Sequence, residues 1–172
     1  MESDDGEMEL IQYNASAGVV VNRYSKDREL LEEQVIEAEL GTFGGFFAGE
    51  TYNFLLFGQN NPDESDDVEV LRIIKYSKDW ERLDSCSVYG ANTSIPFRAG
   101  TADFAETGGK LYLHTCHQMY ASDDGKNHQA NMTFVLDQET MEVVDSWYEV
   151  KNISYGYCSH SFSQRVRTTD EY

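Results

Sequence analysis

Basic residues are scarce in this sequence, and that scarcity excludes several partners. Thirteen lysines and arginines stand against 31 aspartates and glutamates, which gives a formal net charge of −18 at pH 7. A surface of that sign repels phosphate backbones, so we expect no nucleic-acid partner. No run is long and apolar enough to span a bilayer, so the sequence predicts no membrane insertion. The first residues, MESDDGEMEL, have neither the basic nor the apolar region of a signal peptide.

Cysteine and proline are also few. The three cysteines, Cys86, Cys116 and Cys158, match no zinc finger or ribbon by their spacing, and an odd number cannot complete a disulfide framework. We interpret them as small buried side chains. Two prolines and 13 glycines argue against a linker or a fibre. A hydrophobic content of 40% in 172 residues is instead sufficient for a packed core.

A repeated tetrapeptide is the most informative feature that is present. YSKD occurs at Tyr24 and again at Tyr76, and the flanking residues are similar too. A third, more divergent copy reads MTFVLDQETMEVVDSWYEV. Each copy has two segments of alternating apolar and polar residues around a short polar segment, which predicts two β-strands joined by a turn. We expect these turns near residues 25–28, 77–80 and 137–140, in a chain that is almost free of helix.

A second predicted hairpin precedes each of the two later copies. One bends at residues 107–110, where two adjacent glycines supply the positive φ that such turns need, and the other bends at Gly49-Glu50. The unit is therefore four antiparallel strands that recur about every 50 to 60 residues, which is typical of a β-propeller blade. A β-sandwich is the alternative, because its strands have similar spacing.

We accordingly predict an all-β fold: a partial β-propeller of about three four-stranded antiparallel blades in an incomplete ring. Residues 1–40 would form a partial blade with a hairpin near 19–36, and residues 41–90 and 91–150 would each form a blade. Residues 151–172 would supply the first, truncated strand of a following blade. We interpret the chain as a piece of a longer propeller.

Several phrases resemble one group of proteins. FGGFFAGETYNFLLFGQNN, VLRIIKYSKDWERL and LYLHTCHQMYASDDGKNHQANMTF, in that order, are similar to segments of large, uncharacterised secreted or surface-attached β-propeller-like proteins of Firmicutes-type gut bacteria. The resemblance covers roughly Leu31 to Gln164, and the sequence departs from the pattern on both sides. It implies an extracellular or cell-surface location for a propeller module and no particular reaction.

The longest predicted connections would lie on one face of the propeller, where binding sites of rigid scaffolds are usually found. Two of them are acidic and contain the candidate metal ligands Asp63, Asp66, Asp67, Asp123 and Asp124. Neither matches the spacing of a calcium-binding loop. We therefore predict no cofactor and keep a divalent cation such as calcium as the alternative.

The same predicted face carries the candidate binding residues, which are His117, His128, His160, Tyr120, Tyr155 and Tyr157. The main hypothesis is a non-catalytic extracellular binding or adhesion module whose ligand is a glycan, a peptide or a neighbouring domain. The alternative is a propeller enzyme, a lyase or hydrolase acting on polysaccharide, in which the three histidines converge on a metal ion. No catalytic residue is assigned.

Overall fold

A computed structural model describes residues 6–98, 100–148 and 165–169 of the chain. None of the residues in these ranges is helical, and the strands form three antiparallel sheets, so the all-β prediction is confirmed. The chain divides into a smaller unit, Met1–Glu39, and a larger unit, Leu40–Tyr172.

The smaller unit contains one sheet of three strands in the order β1-β2-β3. These strands are β1 (Met8–Asn14), β2 (Gly18–Tyr24) and β3 (Leu30–Ile36). The Glu- and Leu-rich composition of the β3 segment would also suit a helix, but its residues pair along β2 from Ile36 opposite Val19 to Leu30 opposite Tyr24. Strand pairing therefore overrides local helix propensity at this point.

The larger unit begins with a four-stranded sheet in the order β4-β5-β6-β7. Its strands are β4 (Thr42–Ala48), β5 (Asn53–Gly58), β6 (Glu69–Tyr76) and β7 (Arg82–Tyr89). Each strand pairs antiparallel with the next one along the chain. This sheet is a simple meander of the kind that the repeat predicts.

A five-stranded sheet completes the larger unit. Its strands are β8 (Thr93–Pro96), β9 (Asp103–Thr107), β10 (Lys110–Ala121), β11 (Asn127–Asp137) and β12 (Val143–Trp147). Strands β9 to β12 form a second meander, and β8 pairs with the last residues of β10 beyond the end of β9. Strand β8 lies in a segment whose sequence predicts only an irregular connection between blades.

The predicted turns are present in the two YSKD copies. In the first copy the amide of Arg28 donates to the carbonyl of Ser25 (2.8 Å), and in the second the amide of Trp80 donates to that of Ser77 (3.1 Å). Arg28 and Trp80 also have nearly equal left-handed φ angles, 65° and 61°. The third turn is one residue longer, because the left-handed residue is Met141, whose amide donates to Asp137.

One predicted loop is wrong. The sequence HQMYASDDGKNHQ predicts a long connection, but β10 continues to Ala121 and β11 begins at Asn127. Only a tight turn separates them, closed by the amide of Ser122 donating to the carbonyl of Lys126 (3.0 Å). The polar composition of this segment suggests a loop but does not exclude strands. Polar residues pair in an antiparallel ladder as readily as apolar ones when one face of the sheet is exposed to solvent.

The core of the larger unit lies between its two sheets. Across this interface the rings of Phe47 and Phe104 stack with centroids 5.7 Å apart. The buried cysteines of the prediction are seen at Cys86 and Cys116, both reduced, and Cys158 lies outside the described residues. The core side chains are Phe54, Leu56, Val70, Leu71, Ile73, Cys86, Val88, Ala91, Phe104, Leu111, Leu113, Met132, Phe134, Leu136 and Met141.

The two central strands of the four-stranded sheet, β5 and β6, are also buried on their second face. Leu55, Phe57 and Ile74 alternate with the core residues of β5 and β6, and none of the three has any exposed surface. A strand that is buried on both faces has a near-continuous apolar sequence, which explains the run Phe54-Leu55-Leu56-Phe57.

Candidate ligand groove

A groove of about 510 Å³ opens where the two sheets of the larger unit meet. The turn from β7 to β8, the β5–β6 loop, the end of β10 and the residue after β12 all contribute to it. Its lining consists of Asp66, Tyr89, Ala91, Asn92, Tyr120 and Tyr148. Three tyrosines, one carboxylate and one amide in a space of this size have the composition of a small-ligand site.

The turn from β7 to β8 has an unusual backbone. Gly90, Ala91 and Asn92 have consecutive positive φ angles of 58°, 44° and 49°. Left-handed geometry costs a residue with a side chain about 1–2 kcal/mol, so the surrounding contacts must stabilise this turn. The amide of Thr93 donates to the carbonyl of Gly90 (2.9 Å), and the carboxamide oxygen of Asn92 accepts from the amide of Tyr120 (3.2 Å).

Gly90 brings the turn into direct contact with the β5–β6 loop. A Cβ atom at this position would lie 2.7 Å from both the Cα and the Oδ1 atoms of Asp66. Real Cβ atoms do not approach other atoms so closely, so only glycine allows Asp66 to stand at this distance from the turn. The position of Asp66 in the groove therefore depends on Gly90.

Asn61 holds the β5–β6 loop in place. Its side chain is buried, and its two amide hydrogens are shared among three acceptors: the carbonyl of Ser65 (2.9 Å), the carbonyl of Thr93 (3.2 Å) and the hydroxyl of Tyr120 (3.0 Å). Its carboxamide oxygen accepts from the amide of Ser65 (3.0 Å). An acidic loop that looks irregular in sequence is thus a fixed element of the groove wall.

Glu64 fastens the same loop to the hairpin between β10 and β11. Its carboxylate accepts from the backbone amide of Ala121 (3.0 Å) and from the side-chain amide of Asn127 (2.6 Å). The carboxylate of Glu64 is therefore engaged in hydrogen bonds within the protein, since a backbone amide and a side-chain amide already donate to it.

Tyr120 is the residue that links the loop, the sheet and the groove. Its hydroxyl donates to the carbonyl of Ser65 (3.0 Å) and lies 3.3 Å from Oδ1 of Asp66. Burial raises the pKa of Tyr120, and the negative charges of Asp66 and Glu64 act in the same direction. Its hydroxyl therefore stays neutral at physiological pH and keeps its hydrogen bonds.

The other two tyrosines differ in exposure. Tyr89 is 57% exposed and presents most of its ring to solvent. Tyr148 is half-buried, and its ring stacks on Phe134 with centroids 6.0 Å apart and an interplanar angle of 19°. The ring of Tyr148 is thus held in place as part of the groove wall, and the ring of Tyr89 is the more accessible one for a ligand.

Of the predicted candidates that the structure describes, Tyr120 and Asp66 alone line this groove. Asp63 and Asp67 are exposed on the same loop, and Asp123 is exposed in the β10–β11 turn. Within the described residues, no group of three or more histidine, cysteine or acidic side chains is arranged to hold a metal ion. His160, Tyr155 and Tyr157 lie outside the described residues.

The histidines that are described have separate partners. His117 lies within β10, is buried, and has Nδ1 2.7 Å from the hydroxyl of Thr93. That hydroxyl also lies 2.9 Å from the carbonyl of Ala91, so it links the imidazole to the turn after β7. Burial lowers the pKa of His117 to about 4, an effect that the backbone of Tyr148 only partly offsets.

His128 lies in β11, and its Nε2 is 3.0 Å from Oδ2 of Asp124 in the adjacent turn. The pKa of Asp124 is lowered, first by the backbone amide of Lys126 and then by His128. This pair therefore stabilises the hairpin turn, and His117 and His128 lie in different surroundings.

Sequence reasoning misses four residues of the groove, which are Tyr89, Ala91, Asn92 and Tyr148. Tyr89 and Asn92 belong to the YGAN segment, which reads as an ordinary connection, although an Asn close to a Gly is a frequent sign of left-handed backbone. Tyr148 ends a strand segment, and nothing in its neighbourhood of the sequence distinguishes it.

No protein-family model matches the chain, and no curated protein is significantly similar to it. Among solved structures, an ACO/RPE65 chimera in a trigonal crystal form aligns with 86% of this chain at 13% sequence identity, with a TM-score of 0.49. The chain spans 36% of the length of that chimera. A likeness at this level supports no conclusion about the present chain.

None of the described residues forms a helix that is long and apolar enough to cross a membrane.

Proposed function

We propose that this chain is a non-catalytic binding module of a bacterial surface protein and that it holds a glycan in the groove lined by Tyr89, Tyr120 and Tyr148. The observation that carries the proposal is the composition of that groove. A sugar ring presents flat C–H surfaces and a rim of hydroxyls. Tyrosine rings pack against the former, while the carboxylate of Asp66 and the amide of Asn92 suit the latter.

The arrangement of the scaffold supports a propeller as the proposed setting. The four-stranded meander β4–β7 has the strand order of a blade, and the strands β9–β12 repeat it. In a two-sheet sandwich the outer face of each sheet meets solvent, whereas a blade is covered on both sides. The complete burial of Leu55, Phe57 and Ile74 on the second face of β4–β7 favours the blade.

The enzyme alternative has less support. It requires histidines that converge on a metal ion, and His117 is instead buried and hydrogen-bonded to Thr93. His128 is paired with Asp124 at the tip of a hairpin. The extracellular location that we propose rests on the resemblance of the sequence to surface proteins of gut bacteria.

Isothermal titration of the chain with a panel of soluble oligosaccharides, neutral and basic, tests the proposal. Tyr89→Ala should weaken the binding of any bound sugar about tenfold or more, because it removes the most exposed ring of the groove. The matched control is Tyr13→Ala, which removes a partly exposed tyrosine from the smaller unit. Binding that is absent across the panel, or equal loss in the two variants, would contradict the proposed function.

A further inference from the structure

We infer that the glycan in this groove is a basic one, an amino sugar polymer with free ammonium groups, an inference that rests on the proposed function. The described residues of the lining carry one formal charge, the carboxylate of Asp66, and include no lysine, arginine or histidine. They offer a negative site and tyrosine rings, and none of them would neutralise an anionic sugar.

The aromatic rings add to this preference. The faces of tyrosine rings carry negative electrostatic potential and attract an ammonium group that lies within about 6 Å of the ring centroid. Tyr89 and Tyr148 line the same groove as Asp66. A carboxylate next to such rings binds a cation more strongly than either group alone, because the cation keeps favourable contacts on several sides after it loses water.

The contact with the hydroxyl of Tyr120 leaves acceptor sites of the Asp66 carboxylate available. The contact is long, 3.3 Å to Oδ1, and a carboxylate has about four acceptor sites. Asp66 is exposed, so an incoming ammonium group reaches the remaining acceptor sites without a rearrangement of the loop. Gly90 and Asn61 keep the loop in this position before any ligand arrives.

The charge of the rest of the chain acts in the same direction over a longer range. Asp63 and Asp67 are exposed on the loop that carries Asp66, and the chain as a whole has a net charge of −18. Such a potential concentrates cationic polymers near the groove and repels sulfated or phosphorylated ones. These surface charges would accelerate association, whereas the groove selects the sugar.

The size of the groove is consistent with a sugar residue as the bound unit. A volume of about 510 Å³ lies within the range of small-ligand sites. An amino sugar uses the stacking surface and the carboxylate at once, because its ring and its ammonium group are joined by one bond. A lysine side chain uses only the carboxylate and the ring faces, so a lysine peptide is the competing ligand in the test.

The test compares two oligosaccharides of equal length, β-1,4-linked glucosamine with free amines and its fully N-acetylated form, by isothermal titration in slightly acidic buffer. A glucose oligomer and trilysine complete the set. We expect the free-amine oligomer to bind at least about tenfold more tightly than the acetylated one, and its affinity to fall with added salt. Alkaline buffer, which deprotonates the amines, should remove the difference.

Two variants assign the effect to the groove. Asp66→Asn should lower the affinity for the free-amine oligomer about tenfold and that for the acetylated oligomer by a clearly smaller factor, since the amide still offers a hydrogen-bonding group but no charge. Asp63→Asn removes an equal charge from the exposed part of the same loop and should change either affinity less than about twofold. Thermal unfolding of both variants shows whether the fold is intact.

Each outcome decides between the two proposals. Equal affinity for the free-amine and acetylated oligomers, or an Asp66→Asn variant that binds like the wild type, would overturn the basic-glycan inference and leave glycan binding in place. Binding of trilysine but of no oligosaccharide would overturn both. Absence of any binding would also overturn both.

Discussion

The side-chain amide of Asn61 donates a hydrogen bond of 3.0 Å to the hydroxyl oxygen of Tyr120. The two residues are 59 positions apart: Asn61 lies in the loop after β5, and Tyr120 lies near the end of β10 in the neighbouring sheet. This contact fixes the acidic loop against the neighbouring sheet before a ligand is present. A groove that is already formed loses less conformational entropy on binding.

Asn61→Ala should therefore destabilise the larger unit. The substitution leaves the buried carbonyl of Thr93 and the amide of Ser65 without their partner, and unpaired buried groups cost about 1–3 kcal/mol each. We expect a loss of about 3 kcal/mol in the free energy of unfolding, measured by urea denaturation. Asn60→Ala, an exposed neighbour, is the control and should change stability by less than about 0.5 kcal/mol. Equal effects would show that the loop is held by something other than Asn61.

Gly90→Ala tests the close approach of the β7–β8 turn to Asp66. The new Cβ would meet the Cα of Asp66 at 2.7 Å in addition to the strain of a φ of 58°. Gly108→Ala is a matched control, because Gly108 has a φ of 56° and a Cβ added there would have no atom within 4 Å. We expect a loss of about 1 kcal/mol for Gly108→Ala and at least about 1 kcal/mol more for Gly90→Ala.

The difference between the two glycine variants isolates the clash, since both share the backbone penalty. Gly90→Ala should also weaken any ligand that depends on Asp66, because the loop must move away from the turn. Equal losses of stability in the two variants would mean that the loop yields without cost and that Gly90 does not position Asp66.

The local parts of the fold could be predicted because their signals are local. The turns after Ser25 and Ser77 depend on a serine hydroxyl that accepts from nearby backbone amides, and the paired glycines at 108 and 109 set their own turn. Alternation along the chain then fixes the strands on both sides of each turn. The antiparallel meanders follow from these elements.

The groove could be predicted only in part, because it is a tertiary feature. Tyr120 and Asp66 are candidates by their residue types near predicted loops, and they do line the same space. Tyr148 reaches the groove only because β12 pairs with β11, and Tyr89 only because three left-handed residues turn the chain after β7. The residues next to Tyr89 and Tyr148 in the sequence give no indication that the two rings line the same groove.

A buried lysine joins the two sheets of the larger unit at a separate point. Nζ of Lys75 donates to the carbonyls of Gln138 (2.8 Å) and Glu139 (3.3 Å) and lies 5.0 Å from the ring centroid of Tyr52. Lys75→Met keeps the apolar stem and removes the charge, which leaves the two carbonyls without this donor. We expect a loss of about 2 kcal/mol in the free energy of unfolding.

Lys126→Met, in the exposed turn between β10 and β11, is the control for the change of net charge and should alter stability by less than about 0.5 kcal/mol. A Lys75→Met variant more stable than the wild type would show that the cost of burying the ammonium group exceeds the value of its hydrogen bonds. Chemical denaturation of the three proteins in parallel measures both effects.

The stability of the larger unit should fall in mildly acidic solution because of His117. Its pKa in the folded chain is lowered from 6.5 to about 4, chiefly by burial, so the unfolded chain takes up a proton first as the pH decreases. The stabilisation is therefore complete above about pH 6.5 and is lost progressively as the pH falls to about 4, with a total of about 3 kcal/mol. His117→Asn removes this titration, and its unfolding free energy should depend less on pH across the interval.

Carboxylates also titrate in this range, so the comparison with a second histidine variant is decisive. His128→Asn removes an imidazole that is partly exposed beside Asp124, and it should keep most of the pH dependence of the wild type. Urea denaturation of the three proteins at several pH values between about 7 and 4 measures the slopes. If His117→Asn and the wild type lose the same stability over this interval, His117 does not account for the acid sensitivity.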